Sequence, residues 1–158
     1  MSESNPITVF ASHAFEESDD YLRVFEFLEG VDRFYYINVS KPESVPKTGG
    51  LQASKDELIE QIKAAEALFI LSGVYEKRPD IVQFIMDVAE VNHKGMIAIR
   101  PFGTVSETPP EMIERCQEHI KWNDRDMADA LRRQARGEDT ARWEVMDFPG
   151  FDADGPTD

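Results

Sequence analysis

The chain has 158 residues, with 31 acidic against 17 basic side chains and a net charge of −14. That length sets the expectation of one main domain able to bury a core without a staple, and so negative a surface repels a phosphate backbone or an anionic membrane, so neither nucleic acid nor membrane is expected as a partner. No apolar run approaches the roughly 20 residues that span a bilayer, Met1 to Pro6 shows no signal-peptide pattern, and a single cysteine excludes an internal disulfide; together these give a cytoplasmic reading.

Ile7 to Ala11 is rich in β-branched and aromatic residues and predicts a first strand, ending at Ser12-His13-Ala14-Phe15. Ser18 is placed to cap a helix whose first turn carries Asp19 and Asp20, whose buried stripe is Leu22, Phe25 and Leu28, and which Gly30 stops. Phe34 to Val39 predicts a second strand, followed by a long loop from Ser40 to Ala53. Ser54-Lys55-Asp56-Glu57 has capping-box spacing and opens a helix that buries Leu58, Ile59 and Ile62.

Ala67 to Leu71 is apolar throughout, the pattern of a strand covered on both faces at the centre of a parallel sheet. A loop, Ser72 to Arg78, then leads to Pro79, suited to a first helical turn, and to Ile81, Phe84, Ile85 and Val88 at helical spacing. Gly95 is expected to end that helix, with Met96 to Ile99 as a fourth strand. Thr108-Pro109-Pro110-Glu111 reads as a capped helix start with Ile113, Cys116 and Ile120 inward. A fifth strand over His119 to Trp122 precedes Asn123-Asp124, the cap of a last helix with Met127, Ala130, Leu131 and Ala135 on its buried face. The domain is thus read as residues 1–136. Residues 137–158 form an acidic tail whose Trp143, Val145, Met146, Phe148 and Phe151 offer a docking contact.

Five alternations of strand and helix predict an α/β fold with a doubly wound, five-stranded parallel sheet in the order 2-1-3-4-5. Ligands of such sheets sit outside the carboxyl ends of the strands where the order reverses, here between the first and third strands. The segments expected to converge there, Ser12 to Phe15, the long loop from Ser40 and Ser72 to Arg78, supply the candidate binding residues Ser12, His13, Ser72, Gly73 and Arg78, with Arg100 as a further phosphate contact. Neither a G-x-G-x-x-G after a strand nor a G-x-x-x-x-G-K-[ST] is present, and the third strand ends in Ser72-Gly73 where a receiver domain needs an aspartate. His13, His93 and His119 lack metal-ligand spacing, so no metal is expected. Cys116 reads as a core residue.

Val9-Phe10-Ala11-Ser12-His13, Ser72-Gly73-Val74-Tyr75, Asp80-Ile81-Val82-Gln83-Phe84, Ile99-Arg100-Pro101-Phe102-Gly103 and Lys121-Trp122-Asn123-Asp124, in this order, resemble the TIR-like family. That family is typified by a small archaeal flavodoxin-like protein and includes the TIR-like proteins of Thoeris antiphage defence. The resemblance covers Ile7 to about Arg136. It implies a flavodoxin-like fold and, in active branches, cleavage of NAD at the nicotinamide–ribose bond or its conversion to a cyclic ADP-ribose signal. The family's catalytic helix carries a tryptophan and, four positions on, a glutamate; the matching positions here are Ile81 and Ile85. An isoleucine cannot stabilise an oxocarbenium-like transition state.

The leading expectation is therefore a TIR-like signalling module of a prokaryotic defence or stress pathway, binding a nucleotide such as NAD or another TIR-like surface with weak or no NAD cleavage, and requiring no cofactor. The alternative is an NAD-consuming hydrolase or cyclase with Glu76 or Asp80 as a relocated carboxylate. A third reading is a self-associating scaffold, a homo-oligomer held through the tail.

Overall fold

The computed structural model describes residues 2–140. β1 (Ile7–Ala11), β2 (Tyr36–Asn38), β3 (Ala67–Leu71), β4 (Gly95–Ile99) and β5 (Glu118–Ile120) form one sheet in the order β2-β1-β3-β4-β5, and all four pairings are parallel. This is a flavodoxin-like arrangement, with the reversal of strand order between β1 and β3. The helices are α1 (Asp19–Glu29), α2 (Gly50–Lys63), α3 (Ser72–Lys77), α4 (Pro79–Val91), α5 (Pro110–Arg115) and α6 (Asp124–Arg136). α1 packs against α6, and α2 packs against α4. None of the described helices is long and apolar enough to cross a membrane.

Every residue of β3 is buried, as its uniform apolarity demands. α4 packs against it with Ile81, Val82, Ile85, Met86, Val88 and Ala89. Each fully buried large aliphatic side chain of this seam contributes roughly 1.5–3 kcal/mol. Cys116 belongs to the same core, and burial pushes its thiol up to about 12, which favours the protonated form.

Several boundaries differ from the sequence reading. In α1 the buried residues are Tyr21, Val24 and Leu28. Leu22 is exposed and Phe25 only partly covered, because the Tyr21 hydroxyl finds a buried partner in Ser40 Oγ at 2.9 Å. β2 is shorter than expected; as an edge strand it pairs with β1 alone, while Phe34 still reaches the core. α2 starts at Gly50 and Ser54 is not its cap. Gly49, in the left-handed region at φ 94°, turns the chain, and its carbonyl already accepts from Ala53 N–H, so the preceding loop is correspondingly shorter. Ser72–Lys77 is helix rather than loop.

Gly95 opens β4 instead of ending α4, whose cap is Asn92, with His93 turning the chain at φ 56°. A Cβ on Gly95 would lie 2.6 Å from Gln134 Oε1, so glycine lets α6 close over β4. α5 is one short turn without a side-chain cap: Pro109 precedes it, Met112 points inward, and Ile113 is exposed. β5 ends before Trp122, whose indole N–H donates to the Arg100 carbonyl at 2.7 Å. Ser18 and Asn123 cap α1 and α6 as expected, accepting from Tyr21 N and Asp126 N. α6 stops at Gly137 in the left-handed region. The aromatic and acidic residues 141–158, with their expected docking role, lie outside the described residues.

Candidate functional site

The carboxyl ends of β1 and β3 border a crevice of about 280 Å³ lined by Ala14, Glu16, Ser18, Asp19, Asp20, Gly73, Val74, Glu76, Lys77 and Arg78. One wall is the turn after β1 and the first turn of α1; the other is α3. Of the sequence-derived candidates, Gly73, Glu76 and Arg78 line it.

Ser12, His13 and Ser72 lie behind this surface, each fully buried. Ser12 fastens β1 to β3: its N–H donates to Phe69 O at 3.0 Å, and its hydroxyl accepts from Leu71 N at 2.9 Å. His13 braces the turn. The Phe15 N–H donates to Nδ1 at 3.0 Å, which places the ring proton on Nε2, and Nε2–H donates to Gln61 Oε1 at 2.9 Å. Burial lowers the His13 pKa below its ordinary 6.5, against the smaller raising effects of Gln61, Glu43 and Glu57, so the neutral ring this geometry requires is also the favoured one. Phe15 itself sits at φ 63°, a strained conformation that this hydrogen bond helps to hold. Gln61 extends the brace by accepting from Lys41 N at 2.8 Å and donating to Lys41 O at 3.1 Å and Glu57 Oε2 at 2.9 Å. The loop after β2 is thereby tied to the turn after β1. The Ser72 hydroxyl is buried with no hydrogen-bond partner.

On the rim, Arg78 forms a two-pronged pair with Asp80, Nε to Oδ1 at 3.1 Å and Nη2 to Oδ2 at 3.0 Å. The pairing holds the Asp80 carboxyl below its ordinary value, and Asp80 is not among the lining residues. Asp20 is committed as well, pairing with Arg23 at 2.7 Å and accepting from Phe102 N at 3.3 Å. Glu16, Asp19, Glu76 and Lys77 also line the crevice, and the charge of Glu16 adds to that of Asp80 in favouring the Arg78 cation.

Arg100 stands apart from this crevice. It lines a separate groove with Ala98, Thr108, Ile113, His119, Ile120 and Lys121. Ile81 and Ile85 also lie away from it, packed in the core with 3% and 0% of their surface exposed. The position matched to the family's glutamate therefore faces the α4–sheet interface, and Asp87, on the same helix, is held by Arg115 at 2.5 Å. Sequence reasoning placed Ser72 to Arg78 at the crevice without singling out Lys77, missed Glu16, and gave Asp19 and Asp20 only a helix-terminal role; the loop from Ser40, expected here, supplies no lining residue. The signal available was topological, since the first turn of the helix after β1 must face the switch point. Among the described residues no cluster of His, Cys, Asp and Glu could hold a metal ion. The sequence matches no known family model and no curated protein.

Proposed function

We propose that the chain is a TIR-like signalling module of a defence or stress pathway whose β1–β3 crevice binds the nucleoside part of a nucleotide, NAD or an ADP-ribose derivative, without efficient cleavage. The observation that carries this reading is the crevice at the reversal of strand order, with the acidic side chains Glu16, Asp19 and Glu76 in its lining. Its volume of about 280 Å³ suits a nucleoside better than a whole dinucleotide. The carboxylates would accept from ribose hydroxyls, and Lys77 would meet an adjoining phosphate. The core position of Ile85 supports binding without turnover, since no carboxylate comes from that helix position.

Thermal unfolding with NAD and with ADP-ribose tests this. A ligand at about 100 times its dissociation constant stabilises by roughly 2.7 kcal/mol, and Glu76→Gln should reduce that protection without lowering the Tm of the free protein. Absence of protection by both ligands would remove the reading and favour a scaffold. A second reading, a hydrolase or cyclase, rests on Glu76 alone, because its carboxylate lines the crevice whereas that of Asp80 is bound to Arg78. It requires nicotinamide release that Glu76→Gln abolishes.

A further inference from the structure

The groove at the outer edge of the sheet differs in charge from the crevice. Arg100 directly follows β4, and Lys121 directly follows β5. Ala98 pairs with His119, so the alternation of side chains along a strand, carried one residue past each strand end, puts Ala98, Arg100, His119 and Lys121 on one face. With Thr108, Ile113 and Ile120 they line a groove of about 350 Å³.

Neither the Arg100 guanidinium nor the Lys121 ammonium has an ion-pair or hydrogen-bond partner among the described residues, in a chain of net charge −14. Two other arginines of this half of the chain are committed: Arg115 binds Asp87, Glu90 and Glu111, and Arg133 binds Glu118. An acidic chain that holds two unpaired cations in one groove retains charge that an anion would satisfy.

We propose that this groove is an anion site for the phosphomonoester of a small metabolite. Arg100 offers a planar fork to two phosphate oxygens, Lys121 a point charge, and the Thr108 hydroxyl a further donor. Ile113, which is exposed, covers the organic part. His119 serves as a wall, its Nε2–H donating to Met112 O at 3.3 Å. The surrounding negative charge repels a polyanion but leaves a single phosphate group to the local cations, which commits the site to a small molecule.

The test is a titration of the full chain with ribose 5-phosphate, followed in backbone-assigned proton–nitrogen correlation spectra, with ribose as the phosphate-free control. Saturable shifts are expected at Arg100, Thr108, His119 and Lys121 with ribose 5-phosphate and not with ribose. Binding should weaken with added salt and fall by about tenfold or more in the doubly substituted Arg100→Gln, Lys121→Gln protein. Both side chains are exposed, so the variant should keep its fold. Non-saturating shifts spread over the surface, equal binding of ribose, or an unchanged affinity in the double variant would each overturn the assignment. The groove shares no residue with the β1–β3 crevice, so the result is independent of what that crevice binds.

Discussion

The central seam and the β1–β2 end of the sheet are held together by different physics. In the seam, β3, β4 and α4 meet through apolar surface such as Leu68, Ile70, Ile85 and Met96, all fully buried. That cohesion is non-directional and scales with area. At the β1–β2 end, buried polar groups meet in named pairs: His13 with Gln61, Gln61 with Lys41, and Tyr21 with Ser40. Each pair is modest while intact and costly when half removed. The seam sets the fold, and the polar end sets the shape of the turn that walls the crevice.

The sharpest way to break this contrast is Ile85→Glu. It places an unpaired carboxylate in the seam, where the side chain is 0% exposed, and should cost roughly 3–5 kcal/mol, lowering Tm by about 10 °C or more. A thermal melt with little change would show that the position has access to solvent or to the crevice. Next comes Gln61→Leu, which strands the His13 Nε2–H and both backbone groups of Lys41. A loss of about 1–3 kcal/mol in urea unfolding is expected, with amide shifts concentrated in residues 13–16 and 40–44.

The polar end should also respond to acid before the carboxylates do. His13 has a folded-state pKa lowered from 6.5, so the unfolded chain takes up the proton first. Its contribution is complete above about pH 6.5 and declines as pH falls through the folded-state value. Glu66, Glu90 and Glu118, whose pKa values are lowered from 4.5, begin to lose their contributions only below that pH. His13→Gln should flatten the slope of stability between these two ranges, and an unchanged slope would contradict the neutral brace. The smallest effect expected is that of Gly73→Ala. A Cβ there meets Asp20 Oδ2 at 3.5 Å and Pro101 Cγ at 4.0 Å, which is ordinary contact. Stability should hold or rise by up to about 1 kcal/mol, while the narrower crevice weakens protection by nucleotide.

The same contrast explains what could be read in advance. The unbroken apolarity of Ala67 to Leu71 and the spacing of Ile81, Ile85 and Val88 mark the seam directly, and alternation of elements then yields the sheet order. The partner of His13 lies 48 residues away on α2, and no local pattern signals such a pair. His13, Ser12 and Ser72 were therefore legible as residues near the switch point but not as its buried support. Glu16 and Lys77 carry no motif and become lining residues only through the meeting of α1 and α3. Arg100 reads as a phosphate contact from the sequence, yet the strand register assigns it to the β4–β5 edge.

The most direct measurement is proton NMR of the purified protein with excess NAD, recording saturation transfer to the ligand and, over hours, the signals of free nicotinamide. The account predicts transfer to the ribose protons that Glu76→Gln diminishes, with no nicotinamide accumulating. Nicotinamide release by the native protein would contradict binding without cleavage and point to Glu76 as the acting carboxylate; no transfer at all would contradict the crevice as a nucleotide site.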